Sequence, residues 1–111
     1  MRIIAGPCQH ESFEQSLEIA QECKRVCDKY KIEYVFKASF DKANRTSITG
    51  KRGLGFEHTM HAFLDIKDEL GVQILTDFHT EEQILHLLRD HNQCVDVIQI
   101  PAFLCRQTDL I

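Results

Sequence analysis

No run of apolar residues in this chain is longer than a few positions, so no segment suits a helix that crosses a bilayer. The opening Met1-Arg2-Ile3-Ile4-Ala5-Gly6-Pro7 is too short and too soon interrupted for a signal peptide. Cysteine occurs five times, at positions 8, 23, 27, 94 and 105, an odd number without zinc-finger spacing. This points to free thiols in a reducing cytosol, and the expected setting is cytoplasmic with no membrane partner. A general excess of positive charge is also lacking. The formal net charge is −4, so no nucleic-acid partner is expected. No Gly-x-Gly-x-x-Gly follows the first apolar run, which weakens a dinucleotide-binding reading. Beyond an alternation of strand-like and helix-like stretches, there is no internal repeat and no low-complexity segment.

With 111 residues, 43% hydrophobic and 27% charged, the chain reads as one soluble globular domain. Arg2 to Ala5 reads as a short strand. Ser12 opens a helix, with Gln15 completing a capping box, and the period of Leu17, Ala20, Cys23 or Lys24, Cys27 and Tyr30 carries it to about Lys31. Cys23 and Cys27 read as two small buried residues on one face rather than as a metal pair. Glu33 to Ala38 is the second strand, followed by a long polar loop from Ser39 to Gly55 whose glycines permit tight turns. Phe56, Met60, Phe63, Leu64 and Leu70 mark a second helix that ends at Gly71, a C′ glycine. Val72 to Thr76 is the third strand. Thr80 and Gln83 form another capping box before Ile84, Leu85, Leu87 and Leu88, and Val95 to Ile100 is the fourth strand. Strands alternating with helices indicate a parallel sheet with right-handed crossovers. The pattern alone leaves an open doubly wound sheet and part of a (β/α)8 barrel as alternatives.

The segment from Phe36 to Ser47 is the most distinctive. It places Lys37, Lys42 and Arg45 within nine positions, interleaved with Ser39, Asn44, Thr46 and Ser47. From Lys37 to Arg52 there are five cations and one anion, Asp41, a local charge of +4 in a chain that is −4 overall. Cations, hydroxyls and an amide on one loop suit an anion with many oxygens, such as a phosphate ester that also bears a carboxylate; a solvated basic loop is the plainer reading. In a parallel βα layout every loop after a strand lies at the same end of the sheet. That end gathers Cys8, Gln9, His10 and Glu11, then Lys37, Ser39, Asp41, Lys42, Asn44 and Arg45, then Asp77 and His79, and finally Gln99, Arg106 and Gln107. His58, His61, His86 and His91 lie on or near helices and read as surface residues.

Lys37-Ala-Ser-Phe-Asp-Lys-Ala-Asn-Arg-Thr-Ser47 resembles the signature of the 3-deoxy-D-manno-octulosonate 8-phosphate synthases. Ile4-Ala-Gly-Pro-Cys8, Leu75-Thr-Asp-Phe-His79 and Gln99-Ile-Pro-Ala-Phe-Leu-Cys-Arg-Gln-Thr-Asp-Leu110 agree with it in order along the chain. The resemblance implies a (β/α)8 barrel, of which 111 residues would form the first half, because a whole barrel takes roughly 250. It implies that Lys37, Ser39 and Lys42 bind phosphoenolpyruvate and that Asn44, Arg45 and Ser47 hold arabinose 5-phosphate. Asp77 and His79 would stand near the reacting carbons and water. Ala102 would donate its backbone N–H to the phosphoenolpyruvate phosphate, and Arg106 would approach the sugar phosphate at a subunit interface. Lys42, Asp77 and His79 are the implied catalytic residues, and Gln99 joins the substrate-binding set. Cys8 in Ala-Gly-Pro-Cys matches the metal-dependent branch, whose divalent transition metal (zinc, iron or manganese) takes a thiolate here; a buried structural cysteine is the alternative. The family's remaining ligands, a histidine, a glutamate and an aspartate, come from later strands. A homo-oligomer, a tetramer in the family, is implied as well. Two other readings compete: the sister 3-deoxy-D-arabino-heptulosonate 7-phosphate synthase, whose loop lacks Asp-Lys-Ala-Asn-Arg, and a non-catalytic half-barrel that kept its anion loop.

Overall fold

The computed structural model describes residues 1–40 and 52–106. Its elements run β1 (Arg2–Gln9), α1 (Phe13–Lys29), β2 (Glu33–Ser39), α2 (Arg52–Leu70), β3 (Gln73–Asp77), α3 (Glu81–Asp90), β4 (Val97–Gln99) and a short 3-10 helix at Ala102–Leu104. The four strands make one parallel sheet in the order β1-β2-β3-β4. A doubly wound sheet reverses its strand order at a switch point. Here each strand is laid beside its predecessor, as in consecutive units of a (β/α)8 barrel, and the ambiguity left by the sequence pattern resolves toward the barrel. Phe36, Ala38, Ile74 and Phe78 share one apolar cluster with Ala20 and Cys27 of α1, Met60, Phe63 and Ile66 of α2, and Leu87 of α3, so all three helices cover the same face.

Most boundaries follow from local chemistry. The Ser12 hydroxyl accepts from Gln15 N at 3.2 Å, the forward half of the expected box. Lys31, not a glycine, takes the left-handed conformation after α1 (φ 56°), and Ile32 N donates back to Cys27 O at 2.8 Å. Cys27 is buried and Cys23 packs on the core, as their spacing predicts, whereas Tyr30 at the end of the same stripe is exposed. Gly71 has φ 66° and closes α2 as expected. At Thr80 the reciprocal capping box is present.

Three boundaries differ from expectation. β1 continues to Gln9 through a register shift between Ala5 and Cys8, the bulge containing Gly6 and Pro7. α2 begins at Arg52, so Gly53 and Gly55 are helical rather than part of the loop. A Cβ on Gly55 would meet nothing within 4 Å, so that glycine is not sterically required. Burial of Phe56, Met60, Phe63 and Ile66 outweighs the weak helix propensity of the two glycines. β4 is shorter than expected because Val95 turns into the core, while Asp96 accepts from Ile74 N at 2.8 Å and pairs with Lys67 at 2.6 Å. No helix among the described residues is long and apolar enough to cross a membrane.

Candidate active site at the C-terminal ends of the strands

Strand register decides which side chains converge. Lys37 pairs with Leu75, Leu75 with Val97, and Asp77 with Gln99. With a side-chain period of two, Lys37, Ser39, Asp77 and Gln99 therefore share the face opposite the helices. They sit at the C-terminal ends of β2, β3 and β4, where barrels carry their chemistry. Each is partly buried, and none of the ion pairs among the described residues engages Lys37.

The approach of β1 to β2 sets one wall of this rim. A Cβ on Gly6 would stand 1.6 Å from the Lys37 carbonyl oxygen, so only glycine lets the two backbones come this close. The bulge then delivers Cys8, exposed and in the left-handed region (φ 67°), against Ala38. A β-carbon there costs roughly 1–2 kcal/mol, a strain held at the C-terminal end of β1. His10 turns away from the rim. Its Nδ1 lies 2.7 Å from the Ser16 hydroxyl, its ring packs edge-on against Phe63, and burial pushes its pKa down.

At the end of β3, Asp77 Oδ2 lies 3.2 Å from His79 Nε2, and both side chains are only 13% exposed. Asp77 Oδ1 is buried without a hydrogen-bond partner among the described residues. A carboxylate oxygen in that condition suits a ligand or water supplied from outside. The start of α3 holds the loop in place: Gln83 Oε1 accepts from His79 N at 2.8 Å and from Thr80 N at 3.3 Å, while Thr80 Oγ1 accepts from Gln83 N at 3.2 Å. The capping box thus also orients the backbone at His79. Phe78 N donates to Gln99 O at 3.2 Å, tying the ends of β3 and β4 together. Beyond β4, Pro101 precedes the 3-10 turn that begins at Ala102, and Arg106 is exposed. Lys42, Asn44, Arg45, Ser47 and Gln107 lie outside the described residues.

The described residues gather no three-donor group around Cys8. They do gather one between α2 and α3: Glu57, His86 and His91, each offering a ligand atom within 4.8 Å of the others. The reading of His91 as a surface residue is corrected, since its side chain is only 12% exposed, whereas His86 is 38% exposed. His91 first and then His86 hold the Glu57 carboxyl below its ordinary range.

The sequence matches the DAHP synthetase I family over residues 1–111. It is similar to proteins named 2-dehydro-3-deoxyphosphooctonate aldolase in several bacteria. Identity is 53% over 111 residues with that of Chelativorans sp. (100% of this chain, 39% of the relative). It is 52% over 109 residues with that of Brucella anthropi (98% and 38%) and 50% over 111 residues with that of Rhizobium meliloti (100% and 38%). The chain therefore spans under two-fifths of the length of these relatives.

Proposed function

The chain belongs to the DAHP synthetase I family, and from that membership we propose that it carries four strands of an enzyme condensing phosphoenolpyruvate with D-arabinose 5-phosphate and water. The products are 3-deoxy-D-manno-octulosonate 8-phosphate, a precursor for lipopolysaccharide, and inorganic phosphate. One observation carries the reading: Lys37, Ser39, Asp77 and Gln99 line one face at the strand ends, beside a buried Asp77 oxygen that has no hydrogen-bond partner among the described residues. Identity of 50–53% to relatives named for the reverse aldol supports the choice of substrates.

In this reaction C3 of phosphoenolpyruvate attacks the aldehyde carbon, water adds at C2, and phosphate leaves with cleavage of the C–O bond. Two phosphorylated substrates repel one another, so cations must hold them together, and that orientation supplies much of the rate. Lys37, Ser39 and Lys42 take the phosphoenolpyruvate carboxylate side. Asn44, Arg45 and Ser47 take the sugar phosphate, with Arg106 near it, and the Ala102 N–H and Gln99 serve the phosphoenolpyruvate end. The Asp77–His79 pair handles the proton of the attacking water, His79 being held by Asp77 on one side and by the Gln83 cap on its backbone.

Cys8 is the proposed thiolate ligand of a divalent transition metal (zinc, iron or manganese). The described residues supply it with no completed donor set, so they do not by themselves fit the ion. The same reading carries a cytoplasmic homo-oligomer that acts on small phosphorylated molecules. The test is an assay of the full-length protein for phosphate release with phosphoenolpyruvate and arabinose 5-phosphate. Turnover with a four-carbon aldose phosphate instead would indicate the heptulosonate sister activity. No turnover with either sugar overturns the reading.

A further inference from the structure

The outer layer carries a donor set that the reaction does not use. Glu57 sits on α2, His86 on α3, and His91 caps the end of α3. His86 Nε2 lies 2.8 Å from Glu57 Oε1, and His91 Nε2 lies 2.9 Å from Glu57 Oε2. Both imidazoles thus converge on the one carboxylate, and His91 Nε2 is buried with no further partner among the described residues. We propose that Glu57, His86 and His91 bind one divalent ion of the zinc class, bridging α2 to α3 at a site separate from Cys8.

Donor chemistry selects the ion. Two imidazole nitrogens and one carboxylate oxygen suit zinc or cobalt, whereas magnesium and calcium favour oxygen shells. The surroundings suit it as well. Phe56 stands edge-on to both imidazoles, at 4.7 Å from His86 and 5.7 Å from His91, and forms an apolar wall. Glu57 and His86 are 42% and 38% exposed on the other side, leaving an entry path and a position for water. Asp90 Oδ2, 3.8 Å from His86 Nε2, is a further oxygen within reach. One adjustment is required. The rings are parallel within 4° at 5.4 Å, and parallel rings cannot aim in-plane lone pairs at one point. The His91 ring therefore turns about its Cβ–Cγ bond on binding, and the ion replaces the direct contact of Nε2 with Glu57.

The inference does not depend on the proposed reaction, and its test reads binding rather than turnover. The full-length protein carrying Cys8→Ser is titrated with Zn2+ by calorimetry and with Co2+ by visible absorption, beside the same protein carrying the Glu57 and His86 changes. One equivalent should bind, with a cobalt spectrum free of thiolate charge transfer, and the His91 imidazole resonances should shift. Glu57→Gln and His86→Gln, at half-exposed positions that tolerate the change, should each weaken binding at least tenfold. Absence of binding would show a proton-mediated carboxylate–imidazole clamp and overturn the proposal. Undiminished binding in both variants, or a thiolate band, would overturn it equally by placing the ion on other donors.

Discussion

Gly6 governs the rim more directly than any charged residue. Its missing Cβ is what lets the β1 bulge lie against the Lys37 carbonyl, and the obstructing atom is backbone, which cannot swing aside. Gly6→Ala should destabilise the protein by about 1–3 kcal/mol, as overpacking does, and displace Lys37. Chemical denaturation together with phosphoenolpyruvate binding checks it, and an unchanged midpoint with normal binding would contradict the close approach. Charge at the anion loop should act selectively. Arg45→Ala should weaken arabinose 5-phosphate binding roughly ten- to hundredfold, the worth of a hydrogen bond to a charged group at about 1.5–3 kcal/mol, and Lys42→Ala should do the same to phosphoenolpyruvate first. Equal losses for both substrates in both variants would sink the assignment. Lys37, Ser39, Asp77 and Gln99 were legible in the sequence because each ends a strand-like run. The Glu57–His86–His91 group was not, because Glu57 and His86 are 29 positions apart and only helix packing brings them together.

Elements were legible where their signals are local. Side chains that hydrogen-bond a backbone three residues away act within one turn, so the Ser12 and Thr80 caps and the Gly71 terminus appear where the sequence puts them. Thr80→Ala should lower the unfolding free energy by about 1 kcal/mol, measured by urea titration, and should loosen the loop that carries His79. A change within error would show that Gln83 alone holds the turn. Boundaries that depend on tertiary burial depart from the sequence pattern. α2 extends through two glycines because its apolar side is covered on the sheet, and β4 shortens because Val95 is drawn into the core. On α3 only Leu87 of the three leucines is buried, while Leu85 and Leu88 are exposed.

At the scale of the molecule, β1 and β4 are the free edges of the described sheet, and they expose Ile3, Ile4, Val97 and Ile98. Parallel strands normally have both faces covered, and open edges present unpaired backbone donors and acceptors. The 111-residue chain alone should therefore self-associate in light scattering and release no phosphate from the two substrates; a monodisperse, active monomer would contradict this. The sequence by itself determined the alternation of strands and helices, their caps, and the clustering of polar residues after the strands, because these depend on neighbours a few positions apart. Only the tertiary structure decided the unreversed strand order, the face shared by Lys37, Asp77 and Gln99, the contact of Gly6 with Lys37, and the donor group between α2 and α3. Each of those depends on register and packing between segments far apart in the chain, and such distances leave no periodic trace in the order of residues.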